Sequence, residues 1–324
     1  MERLALGNAE FEGRNAVYVH RAGDEIAMID TGIATDDARA DLTAQLRARD
    51  IDPGAIDTIL LTHWHQDHTG LAGELQRQSG ATVYAHRLDV PLVGGDAPGM
   101  AAYERRQREA FERWGMPREA RRELREFFEA NTAKAGDPVD VTPIDDGDRI
   151  DVGDLAITTH HAPGHTAGSC LYVPSGDGVA FVGDAVLPVY TPNIGGADVR
   201  VDRPLATYLE TLRSIAEAGY DRLLPGHRDP IEAPRDRVET IIAHHRTRTR
   251  RVLEVLDRIG PADAWTVSAE LFGALEGVHI MHGPGEAAAH LDHLADAGVL
   301  EVSAGTYALA DAGPIEPMVS AAWP

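Results

Sequence analysis

At 324 residues the chain is long for one compact domain and short for three, which points to one large domain with a smaller one appended. Its 30 basic against 52 acidic residues leave a formal charge of -22, with Lys134 the sole lysine; such a field repels phosphate backbones and anionic lipid, and argues against a general nucleic-acid or membrane-surface role. Cys170 is the single cysteine, so an intramolecular disulfide is excluded, and with neither a secretory-type apolar start nor a membrane-length apolar run the protein is expected to be soluble and cytoplasmic.

The first half alternates β-rich runs (NAVYVH, EIAMID, IDTILLTH) with a polar amphipathic stretch over 36–49, an α/β pattern. Residues 94–137 differ. Tyr103, Gln107, Phe111 and Trp114, then Leu124, Phe127 and Phe128, recur at helical spacing among arginines and glutamates, which predicts an inserted helical pair. From Val141 the β-type runs return (RIDVGDLAITTH, SCLYVP, GVAFVGDA, YDRLLPGH), punctuated by Gly, Pro and Asp. After Pro234 a single apolar face built from Val238, Ile241, Ile242, His245, Val252, Leu256 and Ile259 predicts a long helix carrying HHRTRTRR. Helical stretches around 269–275 and 286–297 follow, and VLEVSAGTYAL reads as a hairpin turning at 303–305. Helix, helix, helix and hairpin is the order of a winged helix. The expected division is a catalytic domain over 1–235, its insertion at about 94–137, and a C-terminal helical, winged-helix-like domain over 236–324.

Four apolar β-type runs end at metal-ligand residue types: TILLT at His63, LAITT shortly before His165, VAFVG at Asp184, and DRLLPG at His227. Strand ends in α/β sheets bring side chains from distant sequence to one crevice. His63 and His65 lie on one side of an extended segment and would grip one ion. Asp67 and His68 fall at the start of the helix-like GLAGELQRQ, turned toward a neighbouring position where a second ion fits. His165 would complete the first site, His227 the second, and Asp184 would bridge both. Nitrogen with hard carboxylate oxygen suits Zn(II), Mn(II) or Fe(II), and the absence of cysteine from these segments disfavours a sulfur-rich structural zinc site. Two cations roughly 3.5 to 4 Å apart lower the pKa of a bridging water toward ~7 and hold a hydroxide ready to attack a carbonyl or phosphoryl centre.

THWHQDH, PGHTAGS, FVGDA and PGH, in that order, resemble the ligand motifs of the metallo-β-lactamase superfamily of binuclear hydrolases, over roughly residues 14–233. The resemblance implies an α/β fold of the αββα sandwich type, with the metals in the cleft at one edge of two facing sheets. Carried over by position, it implies that His63, His65 and His165 bind the first metal and Asp67, His68 and His227 the second, with Asp184 between them. DTG at 30–32 resembles the family's early acidic turn, which gives Asp30 the role of orienting a ligand histidine. Asp67 is the candidate for orienting the hydroxide and handing its proton to the leaving group. The implied cofactors are two divalent ions, Zn(II) first, with Fe(II) or Mn(II) as alternatives.

The same resemblance narrows the chemistry. β-Lactam hydrolysis is not expected, because that branch lacks an aspartate at the position of Asp184 and is exported. The full ligand set resembles hydroxyacylglutathione hydrolases, lactonases and phosphodiesterase-type members, although the basic residues with which glyoxalase-type thioesterases hold glutathione have no match here. The tail resembles lactamase-like proteins with a C-terminal winged helix, one of which acts on single-stranded RNA. Arg246, Arg248, Arg250 and Arg251 offer a local basic patch, but the reading-helix candidate EAAAHLDHLADA contains no lysine or arginine. A packing or dimerisation role is the expectation for that module. Family insertions at this point lie over the metal cleft, so the aromatic stripe either glues two helices or forms a lid. His160 and His161 are expected to be loop or core residues, and His20, His86, His244, His279, His282, His290 and His293 have no partner spacing. The expected activity is metal-dependent hydrolysis of a small ester-like molecule, a thioester or a lactone. Phosphodiester or single-stranded RNA cleavage is the runner-up; a non-enzymatic metal-binding module is the remaining alternative, and mono-iron sulfur dioxygenases share the scaffold.

Overall fold

The computed structural model describes residues 1–7, 13–176 and 178–323. Strands β1 (Glu2–Leu6), β2 (Asn15–Ala22), β3 (Glu25–Ile29), β4 (Thr58–Leu60), β5 (Thr82–His86) and β6 (Val141–Ile144) form one sheet in chain order. Strands β7 (Arg149–Val152), β8 (Leu155–His161), β9 (Cys170–Pro174), β10 (Val179–Gly183) and β11 (Arg222–Pro225) form a second, ordered β11-β10-β9-β8-β7.

The period-two alternation of the strands sorts side chains into layers. In β2, Ala16 and Tyr18 point between the sheets, to meet Tyr172, Phe181 and Leu224 of the second sheet. Val17 and Val19 point the other way, onto Leu42 and Leu46 of α1 (Asp36–Arg47) and, past the one-turn helix α2 (Gln66–Thr69), Leu75 of α3 (Ala72–Ser79). The short helix α4 (Val90–Val93) leads into the insertion, α5 (Ala97–Arg113) and α6 (Arg118–Asn131). On the far face of the second sheet, Ala180, Val182 and Leu223 meet Leu205, Leu209 and Leu212 of α7 (Pro204–Ala218) and Val238 of α8 (Pro234–Ile259). The result is the expected αββα sandwich.

Three contacts tie the sheets together where the site lies. The Tyr18 hydroxyl donates to the Pro225 carbonyl at 2.8 Å, the Tyr172 hydroxyl to the Leu61 carbonyl at 2.8 Å, and the Ala16 N–H to the Gly226 carbonyl at 2.7 Å.

The C-terminal elements are α8, α9 (Ala264–Phe272), α10 (His279–Asp296), the hairpin β12 (Leu300–Ser303) and β13 (Thr306–Leu309), and α11 (Ile315–Ala322). The hairpin turns on Ala304 and Gly305, both at positive φ (49° and 79°), the requirement of a tight two-residue connection. Two boundaries differ from the sequence reading. α9 starts at Ala264, because Asp263 caps it by accepting from the Thr266 N–H at 2.8 Å. α10 starts at His279 and runs through Gly283, Pro284 and Gly285, a triplet whose local propensity says break. Tertiary packing overrides that propensity.

The insertion does not stand alone. Phe111, Trp114, Met116 and Leu124 share one core with Val252, Leu256, Val267, Ile280, Leu291, Leu294 and Tyr307 of the C-terminal elements. The aromatic stripe therefore glues the insertion to the C-terminal helices, and the contact reaches the cleft through Tyr103, whose ring packs 5.1 Å from that of Trp64. Among the described residues no helix is long and apolar enough to cross a membrane.

Candidate metal centre

The strand ends deliver the seven expected side chains to one place. His63 and His65 follow β4, Asp67 and His68 sit on α2, His165 follows β8, Asp184 follows β10 and His227 follows β11. Their ligand atoms gather into three mutually close groups: His63, His65 and His165; Asp67, His68 and His227; and, joining the two, His63, His68 and Asp184. Asp67, His68 and Asp184 are buried, as are His63, His165 and His227.

Hydrogen bonds outside the cluster decide which ring nitrogen carries the proton. His165 Nδ1 lies 2.9 Å from the Asn193 carbonyl and His65 Nε2 lies 3.1 Å from the Ala197 carbonyl; a carbonyl only accepts, so each ring donates there. Thr62 Oγ1 donates to Asp30 Oδ2 at 2.8 Å and is left to accept from His63 Nδ1 at 3.1 Å. The remaining nitrogens, His63 Nε2, His65 Nδ1 and His165 Nε2, are therefore lone pairs. Yet His65 Nδ1 lies 3.0 Å from each of the other two. Three lone pairs converging at that distance repel one another unless a cation sits among them. In the second group His68 Nε2, His227 Nε2 and Asp184 Oδ1 are buried without a hydrogen-bond partner. Such atoms are costly to leave unsatisfied, and a metal ion is the partner their chemistry fits.

Asp30 does for His68 what the loop carbonyls do for the other rings. It sits at φ 57°, a left-handed conformation that aspartate tolerates better than most residues. One oxygen accepts the Thr62 N–H at 2.8 Å, and the other accepts the Thr62 hydroxyl at 2.8 Å and His68 Nδ1 at 2.9 Å. The bond turns His68 Nε2 toward Asp184 Oδ1 and Asp67 Oδ2, at 3.5 and 3.6 Å. His227 Nε2 faces Asp67 Oδ2 at 3.2 Å and Asp184 Oδ2 at 3.4 Å, so the two oxygens of Asp184 address different histidines. Gly226 makes the fit possible: a Cβ there would lie 2.5 Å from His68 Cε1 and 2.6 Å from Asp184 Oδ1.

Electrostatics separates the two groups. Burial pushes the His63, His65 and His165 imidazoles down, His65 to about 4, so the first group is neutral and ready to ligate. For His68 and His227 burial pushes the same way, but the carboxylates of Asp67 and Asp184 outweigh it and hold both above the ordinary value, His227 at about 9. Burial would raise Asp67 and Asp184; the facing histidines win and keep both well below the usual carboxylate range. Cations taken up here exchange for the imidazole protons.

A supporting shell escaped the sequence reading. Arg200 Nη2 donates to Asp89 and to Asp198 at 2.6 Å each, and its guanidinium lies 5.7 Å from the centroids of both Trp64 and Tyr103. Asp89 in turn accepts the Trp64 N–H at 3.1 Å, and Asp198 accepts the Ala167 N–H at 2.9 Å. The cluster thus clamps the two ligand loops, around Trp64 and Ala167, to each other. Asn15 Nδ2 donates to Asp67 Oδ2 at 3.3 Å. No local signal in the sequence announces these contacts, which join residues far apart in the chain. Of the remaining histidines, His86 and His161 stack at 4.1 Å, and His245 and His290 form a buried pair at 3.3 Å beyond the sandwich; His160 is exposed.

Residues 10–227 match the family model described as Metallo-beta-lactamase superfamily. The chain belongs to that superfamily. It is 27% identical over 281 residues to the Bacillus subtilis (strain 168) protein named Probable metallo-hydrolase YqjP, covering 84% of this chain and 85% of the relative. It is 26% identical over 258 residues to an Atrochrysone carboxyl ACP thioesterase of Emericella nidulans, covering 78% of this chain and 64% of that one. Among solved structures, the metallo-beta-lactamase family protein TTHA1429 from Thermus thermophilus superposes with a TM-score of 0.82 at 27% identity, over 95% of this chain and 98% of the other. A Beta-lactamase domain protein from Burkholderia ambifaria gives 0.75 at 25%, over 95% and 91%. This superfamily member is thus a metallo-hydrolase by family, with a His/Asp cluster that suits metal ions.

Proposed function

We propose that this superfamily member is a binuclear metal-dependent hydrolase of a small ester-like substrate, a thioester or a lactone. One observation carries the reading: two sets of ligand atoms, His63/His65/His165 and Asp67/His68/His227, lie side by side, linked through His63, His68 and Asp184. Zn(II) suits these donors best, with Fe(II) or Mn(II) as alternatives. When bound, the ions supply an acidified water as nucleophile and Lewis-acid polarisation of the carbonyl.

The protein side of the mechanism follows from named atoms. The Asn193 and Ala197 carbonyls, the Thr62 hydroxyl and Asp30 hold the distal ring nitrogens protonated, so the ligand nitrogens stay aimed inward. Asp184 spans the groups with its two oxygens. Asp67 would orient the attacking water, take its proton at a carboxylate oxygen and pass it to the departing thiolate or alkoxide. Tyr103 and Trp64, packed edge to face, shield the ligand loop from bulk water on the insertion side.

The thioesterase relative supports acyl transfer. RNA cleavage loses its natural reading element, because α10, the third helix of the tail, buries Ala287, Ala288, His290, Leu291 and Leu294. Arg250 is engaged in a two-bond ion pair with Glu316. The test is a panel of a thioester, a lactone, a chromogenic phosphodiester and single-stranded RNA, each with and without chelator. Chelator-reversible hydrolysis of an acyl substrate is expected. Activity confined to RNA and falling steeply with salt would favour the runner-up, and no chelator-sensitive turnover at all would overturn the reading.

A further inference from the structure

We propose that Asn193 is a positioning residue through which helix α10 holds the first-site histidines, making the C-terminal helices part of the metal centre. The inference rests on the ligand assignment above and extends it to residues outside the motifs.

The loop from Asn193 to Ala197 is a bracket. The main-chain carbonyl at one end takes the Nδ1 proton of His165 at 2.9 Å, and the carbonyl at the other takes the Nε2 proton of His65 at 3.1 Å. The Asn193 side chain closes the bracket, its Oδ1 accepting the Ala197 N–H at 2.8 Å, so one side chain fixes the spacing of the two carbonyls. Its Nδ2 donates outward, to the His282 carbonyl at 3.1 Å and to Glu286 Oε2 at 3.4 Å, both on α10. Glu286 is held from behind by Arg248 of α8, 3.3 Å away, in an ion pair with side chains only 13% and 16% exposed. A buried pair of this kind is strongly disfavoured once one partner loses its geometry.

The docking has no slack. A Cβ on Gly196 would lie 2.6 Å from the His282 Cα, and a Cβ on Gly285 2.2 Å from the Gly196 Cα. Backbone touches backbone, so the helix cannot shift toward the loop and no side chain rearrangement absorbs a displacement. This explains Gly285 inside α10, which costs helix propensity and gains close approach to the bracket, whereas Gly283 makes room for Ser268 and Leu275. A carbonyl that moves away releases its imidazole to take the other tautomer, which would put a proton on the nitrogen facing the ion.

The test uses chelator-stripped full-length protein titrated with Co(II), following the visible absorption of the bound ion against a competing chelator, beside thermal melts. Asn193→Ala is expected to weaken binding at the tri-histidine site about 10-fold or more and to alter its Co(II) spectrum. Asn193→Asp should do the same, because it sets a second carboxylate against Glu286. Leu291→Ala, in the core shared by the C-terminal helices, should lower the melting temperature while leaving Co(II) affinity intact. Wild-type affinity in Asn193→Ala or Asn193→Asp, or an equal affinity loss in Leu291→Ala, overturns the inference while the ligand assignment stands. A wild-type chain that takes up no Co(II) overturns the assignment itself.

Discussion

Replacing Asp30 with asparagine probes the proton bookkeeping of the whole centre without touching a ligand. Asparagine tolerates the φ of 57° at this position, so the turn survives. Its amide, however, has one acceptor oxygen where the carboxylate has two. If that oxygen keeps the Thr62 N–H, the NH2 meets both the Thr62 hydroxyl and His68 Nδ1, which now donate to Asp30 Oδ2 at 2.8 and 2.9 Å. His68 must then carry its proton on Nε2, the nitrogen facing Asp67 and Asp184. The Thr62 hydroxyl, forced to accept from the amide, turns its proton toward His63 Nδ1 and drives that ring's proton to Nε2 as well. One substitution thereby presents protons at both ligand groups. Loss of such an orienting partner costs about 10- to 100-fold in metal affinity, or roughly 1.4 to 2.7 kcal/mol per ion. Titration of Zn(II) against a chromogenic chelator reads the two binding steps, and both are expected to weaken. Wild-type affinity at both steps would refute the tautomer argument, and weakening of one step alone would refute its relay through Thr62.

Gly226→Ala places a methyl 2.5 Å from His68 Cε1 and 2.6 Å from Asp184 Oδ1, and steady-state kinetics should show a loss of about 100-fold or more with a reduced metal-to-protein ratio. The chelator-treated protein should lose stability as pH rises from about 6.5 to about 9: His227 is held at about 9 in the fold against 6.5 unfolded, so its contribution is complete below the lower value and gone above the higher. Urea melts across that range, flat for the metal-loaded protein and declining for the stripped one, check it; a flat stripped profile contradicts the assignment. Trp114→Ala should cost about 3 to 5 kcal/mol in denaturant melts while metal content per folded protein is unchanged, because Trp114 is only 2% exposed within the core shared by the insertion and the C-terminal helices.

How much of this was legible in the sequence follows from the range over which each signal acts. The αββα layers were legible because strand side chains alternate, and Val17 and Tyr18 answer to different cores one residue apart. The gathering of His63, His165, Asp184 and His227 was legible for a related reason: each closes an apolar run, and a sheet delivers the ends of such runs to one edge. Asp30 was legible only through its resemblance to a known turn. What stayed hidden acts through backbone atoms or across long sequence separations. The carbonyls of Asn193 and Ala197 orient two imidazoles, and a carbonyl has no identity in the sequence. Arg200 joins Asp89 to Asp198 across a separation that no periodicity spans. The true start of α10 is hidden because Gly283, Pro284 and Gly285 are helix breakers by local energetics, about 1 to 3 kcal/mol each against alanine. That penalty is itself informative. At Gly285, which touches Gly195 and Gly196, the helix is held to a distance, and the distance belongs to the loop that aims His65 and His165.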